Sequence, residues 1–271
     1  MRTLVHLKWL VETGEKLTTV DGKTIAVWEF HHESDDEVLS AWAEHFRNHY
    51  CRDCEIDYLR KDFNLSRTDY LITIKFPDAS TAPGPSIRAG DFGEILVADY
   101  LQYILGYWVP RTRYCDKVIR NESTKGCDVL GFKIIADGKE SKDDTLAIFE
   151  TKTQFSGRKP KPRLQDAIIG SIKDQIRKAE SLNAIRQRLF TERKSQDAER
   201  IGRFQNPEDR PYEELSGAVA LFETPLFERD TVRETDANNH PNSKNLVLLV
   251  IHGNDMMKLV HELYRRAADE A

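Results

Sequence analysis

No stretch of this 271-residue sequence approaches the roughly 18 consecutive apolar residues that a membrane-spanning helix requires. The first four residues do not begin a secretory signal, so we expect a cytoplasmic protein that has no membrane partner. Positive charge is not in excess either, since the formal net charge is −5 at pH 7. This charge argues against a protein that coats DNA with its whole surface, so contact with nucleic acid must be local or supplied by a partner.

Cysteine is scarce, with only four residues at positions 51, 54, 115 and 127. Cys51 and Cys54 form a CxxC pair, and His45 and His49 precede them at the i, i+4 spacing of a helix. This arrangement keeps a zinc-bearing interaction protein as one alternative, but no second CxxC pair completes a structural site. We expect buried or reduced thiols rather than a disulfide framework.

Several familiar catalytic patterns are also missing. The sequence contains no GxSxG, Walker, Rossmann or HExxH motif. His240, His252 and His261 have no spacing that indicates a catalytic triad. The chemistry must therefore be sought in a less conspicuous pattern.

The most informative stretch consists of two apolar runs joined by a polar turn. The runs cover residues 129–135 and 146–149, and Asp137-Gly138 lies in the turn between them. Two short apolar runs separated by a polar, glycine-containing turn predict a β-hairpin.

Three charged residues border this hairpin. Asp128 precedes the first run, and Glu150 and Lys152 follow the second. Residues i and i+2 of a strand point to the same face, so Glu150 and Lys152 project together, about 6–7 Å apart along the backbone. Asp128 on the neighbouring strand can reach the same place. Two carboxylates at one site repel each other unless a hard cation such as Mg²⁺ or Mn²⁺ binds both, and Lys152 could then orient or activate an attacking water.

A surface hairpin with an ordinary Glu150–Lys152 salt bridge is the simpler explanation of such a short pattern. The preceding Asp128 and the strand on either side of the turn shift the balance towards a metal site.

These residues resemble a known family. Asp128 followed by Glu150-x-Lys152 at the end of an apolar strand resembles the core of PD-(D/E)XK nucleases, and Gly90-x-x-x-Glu94 resembles the helix that precedes that core. The run from GDFGE through KGCDVLGF to FETKTQFSG, within residues 86–157, is similar to HamA, the nuclease subunit of the Hachiman anti-phage system.

The resemblance implies an α/β fold with a restriction-endonuclease-like core, in which helices flank a mixed sheet. It implies Mg²⁺-dependent hydrolysis of DNA by Asp128, Glu150 and Lys152, with Glu94 supporting the metal. It also implies a superfamily-2 helicase partner (HamB) that restrains or feeds the nuclease until infection is sensed. The glutamine that related nucleases place on the following helix would be Gln165 or Gln175, and their spacing does not distinguish them.

The sequence predicts two parts, an N-terminal α+β extension at residues 1–80 and a nuclease-like core at residues 86–271. The extension would pack on the core or dock a partner. Strands are predicted at residues 4–11, 23–30 and 70–76, and the first two are joined by an Asp21-Gly22 turn. Ser34 or Asp35 would cap a helix that continues to Tyr50.

Within the core, a helix should begin at Ser86, carry Glu94 and end near Gly106. A strand is predicted at residues 107–112, and continuous apolar runs at 217–222 and 246–252 predict buried strands. The polar loop 236–243 between them is predicted to be disordered or to face a partner. Asn254 or Asp255 would cap the last helix.

Residues 157–194 carry eleven basic and four acidic side chains, an excess of seven positive charges. They predict a long helix from about Leu164 whose apolar stripe consists of Ile168, Ile172, Ile176, Ala179 and Leu182. The candidates for phosphate contact on this segment are Lys159, Lys161, Arg163 and Lys173. The alternative is a helix face that is merely solvated.

Another function remains open besides catalysis and the zinc alternative. A nuclease-fold module that has lost turnover could bind nucleic acid or a helicase. The intact Asp128, Glu150 and Lys152 weigh against it, since a degenerate site need not keep them.

Overall fold

The computed structural model describes residues 4–136 and 138–271, so the first residues of the chain and Asp137 of the predicted turn lie outside the described residues. The strands are β1 (Leu10–Thr18), β2 (Thr24–Phe30), β3 (Val129–Lys133), β4 (Thr145–Gln154), β5 (Glu213–Glu223) and β6 (Leu246–Gly253). They form one sheet in the order β1-β2-β6-β5-β4-β3. The pairs β1–β2 and β3–β4 are antiparallel, and the three central pairs are parallel.

The helices surround this sheet. They are α1 (Asp36–Tyr50), α2 (Asp53–Arg60), α3 (Arg67–Tyr70), α4 (Gly84–Asp99), α5 (Arg163–Thr191), α6 (Ser195–Gly202), α7 (Arg229–Arg233) and α8 (Met256–Asp269). In the described part of the chain, no helix combines the length and the apolar character needed to cross a membrane. The predicted α/β class, a mixed sheet flanked by helices, is confirmed.

Alternate residues of the central strands face opposite helical layers, as the two-residue period of a strand requires. On β5, Val219 and Leu221 belong to the core cluster that contains residues of α1, α4 and α8. Ala218 and Ala220 belong instead to the cluster that contains residues of α5. The continuous apolar runs predicted for β5 and β6 are thus explained, because both faces of these strands are covered.

The β3–β4 hairpin, β2 and the helix capped by Asp35 follow the sequence predictions. Asp35 accepts a hydrogen bond from the backbone N–H of Val38, the usual arrangement of an N-cap. The N-terminal residues contribute β1 and β2 to the same sheet as the hairpin.

Three predicted strands are wrong. Residues 4–11 begin with the 3₁₀ helix Val5–Trp9, and β1 follows it. Residues 70–76 form the end of α3 and the π-helical turn Leu71–Lys75, because the buried residues Leu71 and Phe76 are five positions apart rather than alternating. Residues 107–112 form only an isolated bridge between Trp108 and Phe132, since Pro110 lacks the N–H that would extend the ladder.

Helix ends and loops also differ from the predictions. Helix α4 begins at Gly84 instead of Ser86. The N-terminus of α8 is capped by the Glu223 carboxylate, which accepts hydrogen bonds from the N–H groups of Asp255 and Met256. The loop 236–243 is anchored rather than free, since His240 is 3% exposed.

The apolar stripe predicted for α5 is partly wrong. Ile168 and Leu182 are buried, but Ile176 is 84% exposed and Ala179 is exposed. The buried face instead includes the small or polar residues Gly170, Ser171, Asp174 and Ser181. A charged side chain from the sheet occupies the space that larger residues would fill.

Candidate active site

Glu150 and Lys152 lie on the face of β4 that packs against α5. Their register partners on β5 are Ala218 and Ala220, whose small side chains leave room for the two charged ones. The Glu150 carboxylate lies so close to Gly170 of α5 that a Cβ there would collide with it. Lys152 Nζ donates a hydrogen bond to Glu150 Oε1, so the two side chains point to the same side.

Asp128 directly precedes β3 and reaches across to β4. Its Oδ2 accepts a hydrogen bond from the backbone N–H of Thr151 at 3.0 Å. Thr151 separates Glu150 from Lys152, so the three charged residues singled out in the sequence lie around one short segment of β4.

Arg113 connects Glu94 of α4 to Asp128. Its Nε lies 2.7 Å from Glu94 Oε2, and its Nη2 lies 3.0 Å from Asp128 Oδ1. Arg113 also donates to the carbonyl oxygen of Cys127, and the Tyr114 hydroxyl donates to Glu94 Oε2 at 2.5 Å. Glu94 is therefore no exposed helix charge, and its side chain is 13% exposed.

Three other basic residues of the loop after α4 also form ion pairs with acids. The pairs are Lys117–Asp91 at 2.7 Å, Arg111–Asp99 at 2.8 Å and Arg120–Asp78 at 3.2 Å. The sequence pattern indicates Glu94 but does not by itself indicate Arg113 as its partner. The signal was available, because basic residues of one loop follow a helix that carries several acids.

Asp174 on α5 is a fourth acid at this site, and it is not among the residues predicted from the sequence. It lies one helical turn after Gly170, which touches Glu150, and the Sγ of Cys127, next to Asp128, is 3.9 Å from its carbonyl oxygen. Asp174 is 1% exposed, and neither of its carboxylate oxygens has a hydrogen-bond partner. An acid four positions after a glycine, on the helix that follows the Glu-x-Lys strand, was the sequence signal.

Burial raises the pKa of several of these acids. It is the main cause for Glu150, where Asp128 adds to the shift and Lys152 opposes it. Burial also raises the pKa of Glu94, whereas the Arg113 guanidinium lowers it. The two donors that converge on Glu94 Oε2 favour its ionised form. Burial, reinforced by Asp128, raises the pKa of Asp174 to about 6.

The donor set of the site suits a hard divalent cation. Glu150 Oε2 is buried without a hydrogen-bond partner, and a cation would offset the free-energy cost of that unpaired oxygen. Among the described residues, Glu94, Asp128 and Glu150 do not form a group whose ligand atoms all lie within 4.8 Å of one another. Arg113 engages both Glu94 and Asp128, so direct binding of a metal by Asp128 and Glu150 requires Arg113 to release Asp128 Oδ1.

An open cleft of ≈ 790 Å³ borders the site. Glu94, Asp128 and Lys152 line it, whereas the buried Glu150 does not belong to its lining. Lys161 and Arg163 line the same cleft, while Lys159 and Lys173 are exposed but do not belong to its lining. The Gln154 side chain holds the basic segment 159–161 at the edge of this cleft. Its Oε1 accepts from the Lys161 N–H at 2.9 Å, and its Nε2 donates to the Lys159 carbonyl at 2.8 Å.

The two candidate glutamines of α5 have other partners. Gln165 exchanges hydrogen bonds with the backbone of Asp236, and Gln175 donates to Glu214. Neither of these hydrogen bonds reaches the four acids, so Asp174 is the polar residue of α5 that faces the site.

Comparison with known proteins identifies the family to which the chain belongs. The HamA family model matches residues 5–267, which span all six strands and reach into the last helix. No curated protein matches the chain.

Proposed function

Because this chain belongs to the HamA family, we propose that it is a metal-dependent nuclease that hydrolyses DNA phosphodiester bonds in Hachiman anti-phage defence. One observation carries the proposal. Asp128 is hydrogen-bonded to the Thr151 N–H, between Glu150 and Lys152, so two acids and one ammonium lie around one segment of β4. The core would be of the PD-(D/E)XK type.

Asp128 and Glu150 would hold Mg²⁺ or Mn²⁺, with Glu94 supporting the site. Such a metal polarises a phosphoryl oxygen and lowers the pKa of a bound water. Lys152 would position the attacking water, since its side chain is 33% exposed and lines the cleft. Arg113 holds Glu94 and Asp128 in place, and it would have to release each carboxylate before that carboxylate could act on the metal.

The cleft supports DNA as the substrate. A chain of net charge −5 repels a polyanion overall, but Lys161 and Arg163 place positive charge beside Asp128 and Lys152. Lys159 and Lys173 would extend this contact along the phosphate backbone.

Family membership supports a superfamily-2 helicase (HamB) as the partner. The helicase would restrain the nuclease or feed it with DNA. Residues 1–80 would serve as the docking part and residues 86–271 as the nuclease core.

A second candidate is a nuclease-fold module that binds DNA or the helicase without turnover. The Arg113 contacts favour it, because one guanidinium pairs with two of the acids that the reaction would need.

Digestion of plasmid, linear and single-stranded DNA decides between the two, in Mg²⁺ or EDTA and with or without the helicase. We expect Mg²⁺-dependent cleavage that Asp128→Ala, Glu150→Ala or Lys152→Ala lowers on the order of 10²–10⁴-fold. The double Glu150/Lys152 variant should be scarcely worse than either single one, because the residues act as a unit.

The exposed Glu213 of β5 provides a matched control, and Glu213→Ala should cleave normally. Full activity in a folded Glu150→Ala protein would contradict the proposed site. DNA binding without cleavage in any metal, with or without the helicase, would establish the binding module instead.

A further inference from the structure

A second cluster of metal-ligand side chains lies where α1 meets α4. His45 and His49 are four residues apart on α1, and Asp99 is the last residue of α4. His45 Nε2 lies 3.3 Å from His49 Nε2 and 3.0 Å from Asp99 Oδ1, and the three atoms all lie within 4.8 Å of one another. The proposed nuclease reaction uses none of these residues.

Hydrogen bonds among these three atoms cannot satisfy all of them. A nitrogen of a neutral imidazole either donates one hydrogen bond or accepts one. If His45 Nε2 carries a proton, the Asp99 carboxylate takes its single N–H, and His49 Nε2 faces an atom that is already engaged. If it carries no proton, its lone pair points at a carboxylate oxygen. A cation between the three atoms would satisfy all of them.

Two of the three ligand separations also match a tetrahedral zinc site. With metal–ligand distances of about 2.0–2.1 Å, neighbouring ligand atoms of a tetrahedron lie about 3.3 Å apart. The separations of 3.3 Å and 3.0 Å are close to this value. We propose that His45, His49 and Asp99 bind Zn²⁺, with a fourth position left for water.

The surroundings orient the carboxylate and limit the affinity. His6 Nε2 lies 3.1 Å from Asp99 Oδ2, and Arg111 Nη2 lies 2.8 Å from Oδ1. Partners of this kind fix the orientation of metal ligands. The positive charge of Arg111 opposes the cation, so the site should bind zinc less tightly than the same ligands would without it.

A route for the ion exists. The His45 side chain is 21% exposed, and His49 and Arg111 line a cavity of ≈ 340 Å³. The bound metal would link α1 of the N-terminal region to α4, the helix that carries Glu94. Neither Cys51 nor Cys54 belongs to the cluster, so this site differs from the thiolate site that the CxxC pair suggests.

Metal content of the purified full-length protein tests the inference. We expect about one zinc ion per chain, and a Co²⁺-substituted protein whose visible spectrum indicates four-coordinate nitrogen and oxygen ligation without a sulfur-to-cobalt band. His45→Ala and Asp99→Asn should lose the metal. His31→Ala, which removes an exposed histidine, and Glu150→Ala, which alters the candidate active site, should keep it.

Arg111→Gln should bind zinc about tenfold more tightly, because it removes a positive charge next to the ligands. Wild-type protein that contains no zinc and shows no thermal shift on adding Zn²⁺ would mean that the cluster is only hydrogen-bonded, which overturns the proposal. A sulfur-to-cobalt band would assign the metal to the cysteines and overturn it as well. These readouts use the wild-type chain and do not depend on nuclease activity.

Discussion

Glu150 is the residue at which folding and the proposed activity conflict most directly. It is 4% exposed, the negative charge of Asp128 repels its carboxylate, and its Oε2 has no hydrogen-bond partner. Its ordinary pKa of 4.5 rises to about 8 in the folded chain. The folded state therefore holds a proton more tightly than the unfolded state does. The contribution of Glu150 to the free energy of unfolding is therefore most favourable below pH 4.5, and it is lost as the pH rises towards 8.

Replacing Glu150 with glutamine should stabilise the metal-free protein while abolishing cleavage. The neutral amide keeps the shape of the side chain and removes the buried charge. We expect a gain of about 1–3 kcal/mol at pH 8, several degrees in Tm, and a much smaller gain near pH 5. Thermal unfolding in EDTA across this pH range measures it.

Glu213→Gln on the neighbouring strand is the control, since that side chain is exposed and should leave the pH dependence unchanged. A Glu150→Gln protein less stable than wild type at pH 8 would show that the Lys152 pair outweighs the burial of the charge.

The residues of the site differ in how far the sequence predicts them. Glu150 and Lys152 are fixed by local geometry, because i and i+2 of any strand share a face. Arg113 and Asp174 come close to them only through tertiary packing, of a loop in one case and of a 29-residue helix in the other. One sequence holds no periodic signal for contacts of that kind.

Among the elements, the helix α5 and the basic segment before it are the parts that would bring the proposed DNA substrate to the candidate site. Gln154 holds residues 159–161 next to the end of β4, so Lys161 and Arg163 enter the cleft as a consequence of strand position. Phosphate contacts of this kind give binding that depends on salt but not on base sequence.

Removing Lys159, Lys161 and Arg163 together should weaken DNA binding and flatten its salt dependence. Each lost phosphate contact should reduce the log–log slope by about 0.9 on duplex DNA, and affinity at low salt should fall about tenfold or more. DNA affinity across a salt series is the measurement. Metal affinity and helicase pull-down should not change.

The control is a triple alanine variant at Lys16, Lys61 and Lys244, which are exposed and do not line the cleft. It removes the same charge from the chain. Equal losses of DNA affinity in the two variants would mean that only the net charge of the chain matters, and that the partner supplies the specific contacts with DNA.

The predicted elements failed where local preference and burial disagree. The run Ile72-Thr73-Ile74 has strong β propensity, but Ile72 and Ile74 are 41% and 38% exposed in a π-helical turn that buries its neighbours. The parallel strands β5 and β6 were predictable because burial on both faces leaves a continuous apolar run.

At the scale of the whole molecule, only part of the basic side chains is placed to meet the proposed substrate, and Lys161 and Arg163 line the cleft beside the candidate site. The chain is acidic overall, and in the loop after α4 Arg111, Arg113, Lys117 and Arg120 pair with acids instead of facing solvent. Binding of the proposed DNA substrate would therefore depend on a small part of the surface, and we expect association rates to fall steeply with ionic strength.

The pairing of β2 with β6 makes the sheet depend on contacts between distant parts of the sequence. Residues 24–30 pair in parallel with residues 246–253, and most of the described elements lie between them in the chain. The entropy of closing so long a loop must be overcome before the pair forms, and long-range parallel pairing of this kind slows folding. We therefore expect slow refolding from denaturant, with the amides that join β2 to β6 gaining protection from hydrogen exchange only in the last phase. Protection of those amides in an early phase would contradict this.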